Sequence, residues 1–321
     1  MISELLQAQQ GLLIFAVALL CAHSFPLLSS YHPFTLFELT FKGVAQRVYR
    51  PKHTKNYQFL SGILAFSLPI LTLLALALGL SMLAFHPQWL GGLVLYLCLD
   101  TQTAIRTKRI ATLLKQGQKA TARQLLSTIV AREVDTLSSI GIAKACIDST
   151  AMRTIRHYYL VIVFYLIAGP IAALTYKLLL LCNHAWRSEL KPNSAFIKPL
   201  SGLLSILEWL PVRCFIIVMA FSLNYKKVRH YLKHYARFFY QKNSGWILCL
   251  FAANLHIQLG GPCLYHGERF KKMRVGSERH PEPNDLIALL ALLKRIQVFS
   301  GLLLVLTWVL SLIVMQLLSI K

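Results

Sequence analysis

Acidic residues are the scarcest chemical class in this chain. Its 321 residues hold 12 Asp and Glu against 34 Lys and Arg, for a formal net charge of +22. Charged residues of both signs reach only 14%, where soluble domains carry roughly a quarter. A chain so poor in charge and 56% hydrophobic, with mean hydropathy +0.54, cannot cover a water-facing surface with polar groups. A bilayer is its natural solvent. The cysteines Cys21, Cys98, Cys146, Cys182, Cys214, Cys249 and Cys263 include no C-x-x-C pair and sit mostly in apolar runs. That argues against a disulfide frame or a zinc site and for small buried hydrophobes. No G-x-x-x-x-G-K-[ST], H-E-x-x-H or G-x-S-x-G occurs, so the standard P-loop, zinc-protease and serine-hydrolase sites are excluded. No Lys/Arg-rich arm or nucleic-acid motif occurs, and no nucleic-acid partner is expected. No basic residue precedes the first apolar run, Gly11 to Leu28, only Glu4. A signal peptide needs a positive leader, so this run reads as a retained helix.

What is abundant is long apolar sequence. A helix needs about 20 apolar residues to cross a bilayer, and the candidates lie at about 11–29, 62–84, 88–104, 158–181, 202–223 and 296–318. The third is the weakest, because its apolar stretch ends at Asp100. Pro69 and Pro170 fall inside apolar runs and predict kinks. Lys and Arg number five over 30–58, ten over 100–157 and thirteen over 224–295, against none over 1–10, none over 85–89 and three over 182–201. These counts alternate as six crossings require. The expected fold is therefore an all-α, polytopic single membrane domain over 1–321 of the inner-membrane type. The loops 30–61, 105–157 and 224–295 are expected in the cytoplasm and both termini in the periplasm. Removing the third crossing would put ten basic residues outside.

The inner loops carry helical patterning of their own. Ile105, Ile110, Leu113, Leu114, Leu125, Leu126 and Ile129 mark two amphipathic helices separated at Gly117, and another covers about 139–155. Residues 225–241 read as an interfacial helix. His230 and His234 share a helix face without a third ligand, and a solvated basic face explains them as well as a metal does. Gly260-Gly261-Pro262, with Tyr265 and Gly267, forms a tight turn; an ordinary loop and an anion contact through exposed backbone N–H groups both use this pattern. Asn284 or Asp285 reads as the N-cap of the last helix. Glu133 and Asp148 are acids among basic loops. Near a phosphate they suit Mg²⁺; otherwise they pair with Arg132 and Lys144.

These residues resemble the adenosylcobinamide-phosphate synthases of cobalamin biosynthesis. Asn243, Gly245 and Trp246 are similar to that family's N-x-G-W. Leu259-Gly260-Gly261-Pro262, Tyr265 and Gly267 are similar to its L-G-G-P-x-x-Y-x-G, and Gly276, Pro281, Pro283 and Asp285 follow in order. Ile129-Val130-Ala131-Arg132-Glu133 resembles I-V-G-R-D, and Ile147-Asp148-Ser149-Thr150-Ala151 resembles the start of E-S-x-A-E-N. Ala168-Gly169-Pro170 with Tyr176-Lys177, Leu210-Pro211-Val212-Arg213, and His32-Pro33 complete the likeness. The resemblance implies ATP- and Mg²⁺-dependent amide formation between a corrinoid, adenosylcobyric acid, and an aminopropanol phosphate. It implies Glu133 and Asp148 as catalytic or metal-holding acids. It implies His32, Arg132, Ser149, Asn243, Gly260, Gly261, Pro262, Tyr265, Gly267 and Asp285 as substrate or phosphate contacts. The chain departs from the pattern where E-N becomes Met152-Arg153, where an acidic position falls near Arg156-His157, and where N-T-L-D-S-M becomes Leu181 to Trp186. The superfamily also holds a membrane protein associated with regulation of β-lactamase induction. A catalytically silent sensor or regulator is therefore the alternative that the resemblance implies.

Overall fold

The computed structural model describes residues 2–27, 32–191, 194–265 and 267–319, with backbone alone for 2–9 and 314–319. Residues 28 and 29, the end of the first expected crossing, lie outside the described residues. The chain is predominantly helical. In order come α1 (Ile2–Ser24), α2 (Pro33–Val48), α3 (Lys55–Leu83), α4 (Pro87–Cys98), α5 (Gln102–Lys115), α6 (Lys119–Ser127) and α7 (Ser139–Thr154). A π-helical turn, Ile155–Leu160, joins α7 to α8 (Val161–Glu189). Then follow α9 (Lys198–Leu207), α10 (Trp209–Ser222), α11 (Tyr225–His234), α12 (Lys242–Leu255) and α13 (Pro283–Ser319).

Among the described residues three helical stretches are long and apolar enough to cross a bilayer: Lys55–Leu83, Ser139–Glu189 and Pro283–Ile313. A fourth arises if α9 and α10, bent by 46°, make one crossing. Their outer faces are bare hydrocarbon, with Leu64, Leu68, Leu71, Leu302 and Leu306 more than half exposed. The chain is a multi-pass membrane protein. The expected crossing at 88–104 is instead the 12-residue α4. At 1.5 Å per residue it is about 18 Å long, short of a hydrocarbon core of roughly 30 Å. Its end is set by Asp100, whose carboxylate accepts from Thr103 N (3.2 Å) and Thr103 Oγ1 (2.8 Å) and so starts α5. α4 lies between α1 and α8 on a glycine face. A Cβ at Gly92 would meet Ile14 Cγ2 at 2.4 Å, and one at Gly91 would meet Pro170 Cγ at 3.3 Å.

The two expected prolines behave differently. Pro69 sits within an uninterrupted α3. In α8 the helix breaks ahead of Pro170, with Ala168 at φ −138° and Gly169 at φ 77°, ψ −171°. The second conformation is open essentially to glycine alone. The core runs along α2 and α8, where Trp186 Nε1 donates to Phe41 O (3.1 Å) and its ring packs on Phe196.

The all-α expectation holds for the chain, with a local departure from helix over 258–276. Four three-residue strands form there: β1 (Gln258–Gly260), β2 (Cys263–Tyr265), β3 (Glu268–Phe270) and β4 (Arg274–Gly276). β1 pairs antiparallel with β4 in the register Leu259↔Val275, and β2 with β3 in the register Leu264↔Arg269. Closely spaced glycines oppose helix in this segment, and the ladders satisfy the backbone instead. The interfacial helix expected over 225–241 is the shorter α11, followed by a single 3₁₀ turn over 236–238. α13 begins at Pro283, so Asp285 lies inside its first turn and is not the N-cap. Its Oδ2 reaches back to Glu282 N at 2.7 Å.

Candidate functional site: a basic cleft

Where the interior end of α8 meets α7, α9, α12 and the β segment, the packing leaves a cleft of about 930 Å³. The π turn shapes its floor. Its wider turn carries Arg156 and His157 onto the cleft wall, next to Arg153 from the end of α7, and π turns are frequent at functional sites. Glu208 reaches in from the bend between α9 and α10 and is 2% exposed. Its Oε2 accepts from Arg156 Nε (3.0 Å) and Nη2 (2.9 Å), and its Oε1 from Tyr176 Oη (3.2 Å). Arg156 Nη2 also donates to Ser244 Oγ at 3.1 Å, which ties α12 into the same network. His157 is buried and its Nδ1 has no partner among the described residues. The atom is enclosed behind the cleft wall and is not open to the cleft itself.

Six of the sequence-derived residues line this cleft: Arg132, Asp148, Ser149, Asn243, Gly260 and Tyr265. Asp148, on α7, accepts from Gly260 N (3.1 Å) and stands 3.8 Å from Arg132 Nη2. Gly260 needs its lack of a side chain. At φ 69° a Cβ would come within 2.6 Å of Met273 O. Asn243 is buried, receives Arg213 Nη1 at 3.1 Å and donates to Ser205 O at 2.9 Å, so it locks α12 to α9 and α10. Tyr265 Oη accepts from Lys272 Nζ (3.2 Å). Burial opposes the Lys272 charge, but the neighbouring Tyr265 and Cys263 outweigh it, and its pKa lies above the ordinary lysine value.

The remaining six stand elsewhere. Gly261 N donates to Met273 O (3.0 Å), and Pro262 connects β1 to β2. Glu133 is exposed. Its Oε1 accepts from Gly267 N (2.5 Å) while its own N–H donates to Leu264 O (3.1 Å). Asp285 is gripped by Arg279 at 2.7 and 3.0 Å. His32 faces a second cavity. Its Nδ1 caps α2 by accepting from Phe34 N (3.2 Å), and burial together with the Lys177 charge lowers its pKa from 6.5.

Mg²⁺ takes oxygen ligands and usually keeps one or two protein carboxylates plus substrate phosphate. Here Glu133 and Asp148 each hold a glycine N–H at opposite ends of the β segment, and Asp148 also faces Arg132. Among the described residues no three His, Cys, Asp or Glu gather as a metal site would need. These residues do not fit a protein-held Mg²⁺.

Arg153 and Arg156 stand out in the sequence as basic residues where the family pattern has E-N and a further acidic position, and both line the cleft. Glu208 and Lys272 went unnoticed as site residues in the sequence. Glu208 did carry a signal, a lone acid inside an apolar run, where ionisable residues mark function.

Comparison with known proteins settles the ancestry of this cleft. The family model described as CobD/Cbib protein matches residues 13–293. The chain belongs to the CobD/Cbib family. Among relatives, the cobalamin biosynthesis protein CobD of Streptococcus sanguinis is 29% identical over 70% of this chain and 76% of its own length. The CobD of Stutzerimonas stutzeri is 24% identical over 79% and 84%. The CobD of Photorhabdus laumondii is 28% identical over 61% of this chain. That match spans 64% of the relative, less than two thirds. No solved structure matches. The matched region contains every CobD/Cbib cleft residue described above.

Proposed function

We propose that the chain acts in cobalamin biosynthesis at the step that joins a corrinoid carboxylate, adenosylcobyric acid, to an aminopropanol phosphate by ATP-dependent amide formation. ATP would activate the carboxylate, and the amine would displace the phosphorylated oxygen while giving up its proton. The observation that carries this reading is the cleft: about 930 Å³, near the top of the usual range for ligand sites, and walled by Arg132, Arg153, Arg156 and Lys272. A corrinoid is large and an aminoalkyl phosphate is anionic, so one volume of this size and sign suits both. Arg132 and Lys272 would hold phosphate oxygens, whether of the aminoalkyl phosphate or of a nucleotide. No step is assigned to a metal.

On the same reading the membrane is the bacterial inner membrane. Six crossings are proposed, with α1 among them and with the short α4 crossing only by local thinning of the bilayer around it, the termini outside and the cleft on the cytoplasmic face. A second reading rests on a specific observation. Both carboxylates in the cleft, Asp148 and Glu208, are engaged by arginines. That supports a catalytically silent relative that binds its ligand as a sensor or regulator. The test is rescue of a strain lacking the synthase and supplied with cobyric acid. The joining reading expects growth, and loss of growth with Gly261→Leu. Normal membrane expression without rescue would overturn it in favour of the sensor.

A further inference from the structure

Beside the cleft lies a second cavity of about 310 Å³, bounded by α2, the end of α4, the start of α5 and the middle of α8. Its charged wall consists of Glu38, Asp100, Arg106, Arg153 and Lys177, with His32 and His184. Both carboxylates are already engaged. Glu38 pairs with Lys42 at 3.2 Å. Asp100 receives Thr103 N, Thr103 Oγ1 and, at 3.1 Å, Arg153 Nη2. Lys177 differs. It is 4% exposed and, among the described residues, makes no hydrogen bond and no ion pair. The Phe34 ring, 5.8 Å from Nζ, is its one contact of the cation–π kind, and Asp100 reaches it only through its field. An ammonium taken out of water without an acceptor is unfavourable, and three cations against two engaged carboxylates leave the cavity positive.

We infer that this cavity is a subsite for a compact phosphate-bearing anion, gripped by Lys177 with Arg106 and Arg153. Its volume stands at the small end of ligand sites, which suits a short phosphate monoester or a single lipid headgroup and excludes a corrinoid. Both sources offer the same chemistry, charged phosphate oxygens for the buried Lys177 ammonium and its two guanidinium neighbours. Nothing in this inference depends on the amide-joining reading, because it concerns binding alone.

The test is calorimetric titration with inorganic phosphate, in phosphate-free dodecyl maltoside, of the full chain carrying Arg132→Met and Lys272→Met, which remove the two cations proposed to hold phosphate in the larger cleft and leave the second cavity intact. Lys177→Met is expected to weaken binding by about tenfold or more, and Lys177→Arg to keep it within about threefold, because the cation and not the shape makes the contact. Adding phosphatidylglycerol distinguishes the sources. A competing shift of the phosphate affinity by about fivefold or more marks a lipid headgroup, and an unchanged affinity marks a soluble monoester. If Lys177→Met does not fold, Arg106→Met, at a half-exposed wall position, is read on the same scale. Undiminished phosphate binding by a folded Lys177→Met, or by Arg106→Met in its place, overturns the subsite.

Discussion

Removing the Glu208 carboxylate leaves Arg156 as a charge without its counter-ion in a nearly closed wall. Glu208→Leu is expected to cost about 3–5 kcal/mol, measured by thermal or denaturant unfolding in detergent. The double variant Arg156→Met/Glu208→Leu is expected to recover most of that loss, since an apolar pair replaces a buried ion pair at little cost. His32 sets a pH dependence. Its folded pKa lies below the ordinary 6.5, with burial the largest cause, so the unfolded chain takes up that proton first as pH falls. The stability linked to His32 is complete above 6.5 and is lost as pH drops through the folded value. His32→Asn keeps an acceptor for Phe34 N–H but does not titrate. Melting curves between about pH 7 and pH 5 are expected to be flatter for it than for the parent chain. At this scale the glycine turn and Asp148 were legible because motif and charge stand out locally. The Arg156–Glu208 pair was not, because 52 residues separate partners that only the folded chain joins.

Among the elements, the β segment is a strap held from outside its own ladders. Glu133 bonds Gly267 N, Asp148 bonds Gly260 N, and Lys191 pairs with Glu268. Glu133→Ala is expected to raise the rate of proteolytic cleavage within residues 261–273, while cleavage elsewhere stays as in the parent. An unchanged rate would show that the ladders alone hold the strap. The amphipathic helices were readable from periodicity: α5 and α6 part at Gly117, and α7 fills the run expected over 139–155. The strands were not. Three-residue pieces are too short for a period of two to emerge, and their glycines read equally as loop. The π turn was hidden for a similar reason, since one inserted residue hardly changes the apolar spacing.

For the whole molecule, the exposed hydrocarbon of α3 and α13 makes a bilayer necessary, and composition alone already required it. The number of crossings was less legible. Hydropathy cannot distinguish a short helix such as α4, buried on one face only, from a full-length span, and charge bias can only count sides. Reporter fusions resolve the arrangement. Fusions within 243–285 and 105–130 are expected to report cytoplasm, and fusions at 86 and at the C-terminus periplasm. A periplasmic signal from 243–285 would put the cleft on the wrong side for cytoplasmic ligands.

Arg153 and His184 face both hollows at once, like a party wall between adjoining rooms. A guest that draws the Arg153 guanidinium toward one side takes it from the other, so the tenants of the two rooms must feel each other. Thermodynamic reciprocity then requires that influence to be of equal size in both directions.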